Sequence, residues 1–294
     1  MLLGKHPDLC ENTAFVDVDF PILMQNKCGI IDKTERLSGL LSQFARTTNE
    51  DGVLGAGEPY VAIGCDLRDI EKLKAVLQEN LEIEDVDCAI LFVAEVSIAY
   101  MEREASQAVI EWAATYQDVR FCLLEQHLPD GADHPFARTM LSHFSKLRTP
   151  LHTIGTMDDM KKRFTSAGWP EPAMEMHTLW ELWSEPTFLA AEQRRSLDAV
   201  EPFDEWEEFA LFASHYFLLV AERKADQDYT FKPQRASIAA NRMSVLPGSF
   251  ADSGSSSAPE IEPEQKLYAK EFPGNQVSEP TEWPLFVHDK CRCL

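Results

Sequence analysis

Residues 60–69 read Tyr60-Val61-Ala62-Ile63-Gly64-Cys65-Asp66-Leu67-Arg68-Asp69, a short apolar run that stops at an acid. From Arg68 to about Asn80 the spacing becomes helical, with Ile70, Leu73, Val76 and Leu77 on one face. The same grammar recurs on both sides. Upstream, Phe15-Val16-Asp17-Val18-Asp19-Phe20 is a strand ending in acid, and Pro21 opens a helix through about Lys33. Downstream, Cys88 to Ala94 is nearly all apolar, as a strand covered on both faces should be. A helix follows over about Glu102–Tyr116, then a strand over Val119–Leu124. Strand, helix, strand, helix at this spacing predicts an α/β domain with a mostly parallel, doubly wound sheet.

The remaining segments fit around that frame. Residues 134–168 add two helices, and Ala173–His177 and Ser214–Ala221 read as a late strand pair at an antiparallel edge. Thr47–Glu58 is polar and contains glycine, so it reads as a mobile loop. Residues 1–224 form the expected domain and residues 225–294 a tail. Within the tail, 247–263 is rich in Pro, Ser, Gly and Glu and reads as a linker, while Trp283, Leu285, Phe286 and Val287 suit either docking onto the domain or the start of a further one.

The 294 residues include 45% hydrophobic and 10% aromatic side chains, which are globular values. No apolar run is long enough for a membrane span, and MLLGKHPDLC has no signal-peptide pattern. Cysteines 10, 28, 65, 88, 122, 291 and 293 are scattered, as reduced thiols in the cytoplasm would be. Cys291-x-Cys293 reads as two free thiols rather than a metal site, and no metal is expected. The net charge is −22, of which the tail, with 7 Lys/Arg and 10 Asp/Glu, carries little. An acidic body repels phosphate backbones, so any nucleic-acid contact must use a local basic patch.

Ligands of an open parallel sheet bind outside the carboxyl ends of its strands. The candidate residues are therefore Asp19, Asp66 and Glu95, each following an apolar strand. An acid at such a place can accept ribose hydroxyls or an exocyclic amine, and Leu67 or Ile70 can cover a ring.

The residues around those acids carry a resemblance. Phe15–Pro21, Ile63–Asp69 and Ala94–Met101 resemble three successive motifs of the leucine carboxyl methyltransferase family. Glu125-Gln126, Arg163-Phe164 with Gly168-Trp169, Pro202–Glu205 and His215-Tyr216 follow in order. The stretch Leu124–Phe136 resembles the tRNA-modifying, wybutosine-synthesising branch most closely. The resemblance implies a class I, Rossmann-like fold that uses S-adenosyl-L-methionine. It implies that Asp19 holds the cofactor ribose, Asp66 and Leu67 the adenine, and Glu95 a further part of the cofactor. Arg68 and Tyr100 match positions that hold a substrate carboxylate. The implied substrate is the modified guanosine beside the anticodon of phenylalanine tRNA; the alternative is the C-terminal leucine of a protein phosphatase catalytic subunit. A carboxylate is already ionised at neutral pH, so no catalytic acid or base is named.

Two departures accompany the resemblance. No propeller of the Kelch type follows the domain, and no first strand with its Gly-rich turn precedes Phe15. Leu54-Gly55-Ala56-Gly57 precedes a strand instead of following one, which disqualifies it as that turn. The expectation is a sheet with a gap, or a substituted segment, beside the strand ending at Asp19, and poor or absent binding of S-adenosylmethionine because its methionine end loses the turn that would cradle it. A folded remnant without catalysis is the reading of a different class. Structural roles are expected elsewhere: His215 as a satisfied core residue, Trp180, Trp183 and Trp206 as core anchors, Lys161-Lys162-Arg163 and Arg194-Arg195 as solvated helix faces, and Asp204–Glu208 as a helix N-terminus.

Overall fold

The structure is a computed structural model, and it describes residues 4, 6–10, 12–50, 52–81, 88–200, 204–224 and 291–293. The linker at 247–263 and the docking residues Trp283 to Val287 lie outside the described residues. The chain divides into two compact units, Met1–Ser184 with Phe203–Phe231 and Val287–Leu294, and Glu185–Pro202 with Lys232–Phe286. In the second unit one helix is described, α8 (Ala191–Val200), which has no buried residue.

The first unit holds a nine-stranded sheet. In chain order its strands are β1 (Phe15–Asp19), β2 (Ser42–Arg46), β3 (Gly52–Glu58), β4 (Tyr60–Gly64), β5 (Ala89–Glu95), β6 (Val119–Gln126), β7 (Met174–Thr178), β8 (Tyr216–Arg223) and β9 (Cys291–Cys293). Their spatial order is β2-β3-β4-β1-β9-β5-β6-β8-β7. β4 and β1 are parallel, as are β5 and β6, while β8 runs antiparallel to both β6 and β7. The chain steps from β1 to β4 on one side and places β5 and β6 on the other. The reversal of direction therefore falls between β1 and β5, which is the switch point where such sheets take ligands. This is the Rossmann-like class I fold that the resemblance implies.

The first-strand position itself is filled. β9 lies in the slot between β1 and β5, parallel to both, with Cys293 opposite Phe15 and Leu91 and Cys291 opposite Ala89. The backbone of the Cys-x-Cys segment is thus a strand of the sheet. Its recorded pairings reach only the starts of β1 and β5.

Helices cover both faces because side chains alternate along the strands. On β4, Tyr60 and Ala62 face α1 (Pro21–Lys33), where Met24, Cys28 and Ile31 complete one core. Ile63 lies in the other core with Leu73 and Leu77 of α3 (Ile70–Leu81), Ile110 and Trp112 of α4 (Arg103–Ala113), and Phe164 of α6 (Met157–Ser166). Between α1 and α3 lies a short α2 (Glu35–Ser38), and between α4 and α6 lies α5 (Pro135–Lys146). Phe121 centres the larger core, stacked at 5.8 Å on Phe92 and edge-on at 5.3 Å to Phe164. No helix among the described residues is long and apolar enough to cross a membrane.

Three expectations change. Thr47–Glu58 is largely strand, not mobile loop. β3 pairs antiparallel with both β2 and β4, and Leu54 is buried. The glycines that suggested mobility serve close packing: a Cβ on Gly57 would lie 2.6 Å from the Phe44 Cα. β5 is not covered on both faces, since Val93 is 55% exposed near its carboxyl end. The tryptophans of α7 (Leu179–Ser184) and α9 (Trp206–Ala213) are not deep anchors. Trp183 is half-buried, Trp206 is 39% exposed, and both pack around Phe209; the buried anchors are Trp112 and Trp169. Glu207 and Glu208 do fall in the first turn of α9, as the acidic run predicts.

Candidate functional site

Parallel strands put their carboxyl ends on one edge of the sheet. Asp19 ends β1 directly opposite Gly64, and Asp66 stands two residues beyond Gly64. Glu95 ends β5 opposite Leu124, so Glu125 and Gln126 end β6 one and two residues further along. The three acids named from the sequence thus share an edge with a fourth acid, Glu125.

The acids differ in what already holds them. Asp17, two residues before Asp19 on the same strand face, bonds to Lys27 of α1 and accepts from the Tyr60 hydroxyl at 2.7 Å. Asp19 is exposed, and among the described residues its Oδ1 accepts the adjoining Phe20 N–H alone, at 2.7 Å. Glu95 is also exposed. Asp66 is gripped by Arg68, whose Nε lies 2.9 Å from each carboxylate oxygen and whose Nη2 also bonds to Oδ2. The Arg68 guanidinium holds the Asp66 carboxyl below the usual carboxylate range. Asp66 and Arg68, expected at the adenine and at the substrate carboxylate, are therefore tied to one another. A guanidinium has five N–H donors, so the Nη1 edge of Arg68 is left for a second anion.

Beyond β5 the backbone turns sharply. Val96 takes φ +48°, a left-handed conformation that a β-branched residue rarely adopts. The turn aims the N–H groups of Ser97 and Ala99 at Glu125 Oε1, each at 3.1 Å. Glu125 is 1% exposed, and its Oε2 has no partner among the described residues. Burial pushes its carboxyl up to about 7, against the pull of those backbone donors and of Arg163. Tyr100 follows in the same turn, and its ring meets Phe144 edge-on at 6.0 Å. Burial, then Tyr216 and Glu125, raise the Tyr100 phenol, so it stays an O–H donor at neutral pH.

Next to it, Gln126 pairs across the sheet with Tyr216 and donates to its hydroxyl at 3.3 Å. His215 is 2% exposed; its Nδ1 must donate to the Leu211 carbonyl at 2.8 Å, because a carbonyl only accepts. Its Nε2 has no partner among the described residues, so the expected satisfied core histidine is only half satisfied. His127 repeats the pattern, donating through Nε2 to the Ser214 carbonyl, and burial lowers its pKa.

Arg163 also departs from expectation. It is 4% exposed and turned inward from α6, bonded to Ser106 Oγ at 2.7 Å and Gln107 Oε1 at 3.3 Å. Burial and the neighbouring Arg103 lower its pKa. Arg103, Gln126 and Arg163 line one cleft. No cluster of three or more His, Cys, Asp or Glu able to hold a metal ion occurs among the described residues.

Glu125 and Gln126 carried no role in the sequence reading beyond their motif. The signal that picks out Asp19, Asp66 and Glu95, an acid closing an apolar strand, is present at Val119–Glu125 as well. Tyr216 offers no such signal, because only the antiparallel register of β8 brings it to Gln126.

The chain is 46% identical over 228 residues to tRNA wybutosine-synthesizing protein 4 of Aspergillus oryzae, covering 76% of this chain and 22% of that one. The protein of the same name in Neurospora crassa is 48% identical over 79% of this chain and 25% of its own length. That of Schizosaccharomyces pombe is 33% identical over 76% of this chain and 32% of its own. The chain thus spans between about a fifth and a third of the curated relatives named here. No family model matches it. An O-methyltransferase family protein from Burkholderia thailandensis overlays 76% of this chain and 47% of that one at 12% identity, with a TM-score of 0.42. That overlay is too loose to add to the strand order.

Proposed function

We propose that this chain is an S-adenosylmethionine-dependent methyltransferase that esterifies a carboxylate on modified phenylalanine tRNA during wybutosine synthesis. The observation that carries the reading is the 46% identity, over 76% of the chain, to a protein named for that pathway. The edge of the sheet supports it.

The residues at the switch point suit the cofactor's chemistry. Asp19 is an exposed carboxylate whose Oδ2 has no hydrogen-bond partner among the described residues, suited to ribose O–H donors. Glu95 is a second open acceptor across the switch point, suited to an ammonium group. Leu67 is half-buried beside Asp66 and offers an apolar cover for a ring. When bound, the cofactor supplies a methyl group on a sulfonium, an electrophile that needs no activation by the protein.

The chain's own work is then positioning. The carboxylate needs no base, so the site must hold it in line and shed its water. Arg68, fixed by Asp66, turns its free Nη edge to an anion, and Tyr100 keeps its phenolic proton to donate. Glu125 fixes the turn that carries Tyr100 by accepting from Ser97 and Ala99.

The test is transfer of labelled methyl from S-adenosylmethionine to phenylalanine tRNA from cells blocked late in wybutosine synthesis. A methyl ester is base-labile, so label released by mild alkali is the expected result. Alkali-stable label, or transfer to unmodified tRNA, overturns the reading.

A further inference from the structure

In a chain with 49 acidic and 27 basic residues, an arginine with no acid bonded to it stands out. Two such arginines line one cleft on the carboxyl side of the sheet. Arg103 opens α4 and is exposed, while Arg163 reaches in from α6 and is buried. Neither makes an ion pair among the described residues. Asp159 lines the same cleft within the field of Arg103, with its Oδ2 engaged by the backbone N–H and hydroxyl of Thr156 at the helix cap. Lys162 and Glu111 border the outer side of the two guanidiniums and offset one another.

The donors of Arg163 can be counted. A guanidinium has five N–H groups. Three go to neutral acceptors, Gln107 Oε1, Ser106 Oγ and Met160 Sδ, and two remain. A buried cation hydrogen-bonded only to neutral groups is costly to keep even with Glu125 nearby, and a second cation next to it adds to the cost. An oxyanion between them removes both penalties.

We propose that the Arg103–Arg163 cleft is a phosphate subsite that takes a phosphodiester of the RNA substrate beside the acceptor carboxylate. The proposal rests on the RNA reading above. Its chemistry suits the place: Thr153 lines the cleft and donates to the Ile98 and Ala99 carbonyls, so the subsite adjoins the turn that carries Tyr100. A body of net charge −22 repels RNA over most of its surface, so a local pair of guanidiniums sets where a phosphate can approach.

The test uses the full chain, Arg103→Gln, Arg163→Lys, and Arg36→Gln as a control at another exposed arginine. Arg103 is exposed, so its loss does not endanger folding. In one arm, inorganic phosphate is titrated at constant ionic strength while the melting temperature is followed. It is expected to stabilise the parent and Arg36→Gln, and to leave Arg103→Gln unmoved. In the other arm, affinity for phenylalanine tRNA is measured against salt. Arg103→Gln is expected to bind about tenfold more weakly and to flatten the salt slope by about one. Stabilisation by phosphate without any effect on tRNA would point to the free ion and overturn the RNA assignment. Equal behaviour of Arg103→Gln and Arg36→Gln in both arms overturns the subsite. Neither arm reads methyl transfer, so failure of the subsite is distinct from failure of the enzyme reading.

Discussion

The carboxyl edge of the sheet treats its polar groups in two opposite ways. On the β1, β4 and β5 side, Asp19 and Glu95 are open and Asp66 is held by a surface arginine. On the β6 and β8 side, Glu125, Gln126, His127 and His215 are sealed from solvent. Open acceptors cost nothing to keep and wait for donors from outside. Sealed ones must find partners within the protein, and here Glu125, Gln126, His127 and His215 each keep one polar atom without a partner among the described residues. The open side is therefore read as a place for ligands, and the sealed side as the frame that fixes the turn between them.

The sharpest way to break this comparison is to cut one acid from each side. Glu125→Leu strands the Ser97 and Ala99 N–H groups in the interior and should lower stability by about 2–5 kcal/mol in urea unfolding. Asp19→Asn should change it by less than about 0.5 kcal/mol. Equal losses would erase the distinction between frame and ligand site.

Next in size is the packing that stiffens the open side. Gly57→Ala would drive a methyl group to 2.6 Å from the Phe44 backbone, so the β2–β3 hairpin must shift. A loss of about 1–3 kcal/mol is expected, where a mobile loop would lose almost nothing.

A smaller effect separates the sides by sign. Glu125 is pushed up to about 7 from an ordinary 4.5, so its contribution is full below about 4.5 and is lost as pH rises through 7. Asp66 is held down by Arg68, so its contribution is present above the ordinary carboxylate range and is lost as pH falls. Lowered His127 also loses its contribution on acidification, which overlaps the first slope. The difference between the parent and Glu125→Gln isolates it: the parent should lose stability relative to the variant between about pH 4.5 and 7. A flat difference curve contradicts the buried carboxyl.

The smallest effect expected is on the surface pair. Arg68→Ala should leave the unfolding midpoint within error, because exposed pairs add little to stability.

Much of this was legible in the sequence because it depends on period and punctuation. Strands ending in acid, Pro21 at a helix start and the 70–81 helix follow from local rules, and Asp19, Asp66 and Glu95 from the strands before them. The hairpin at 42–58 was missed because glycine marks both mobile turns and strands pressed against a ring, and only Phe44 above Gly55 and Gly57 decides which. β9 was out of reach because its partners, Phe15 and Ala89–Leu91, lie about 200 or more residues away along the chain. The inward turn of Arg163 was hidden inside a basic triplet, where the packing of α6 on α4 selects one of the three. The partnering of Tyr216 with Gln126 depends on register alone.

The central claim is that the open acids hold the cofactor while the sealed ones hold the frame. Isothermal titration of S-adenosylmethionine into the parent chain and Asp19→Asn tests it most directly. Loss of charge-assisted hydrogen bonds should weaken binding by Asp19→Asn at least about tenfold, with its unfolding midpoint unchanged. An Asp19→Asn variant that binds as tightly as the parent, or a parent that binds no cofactor, would contradict the account.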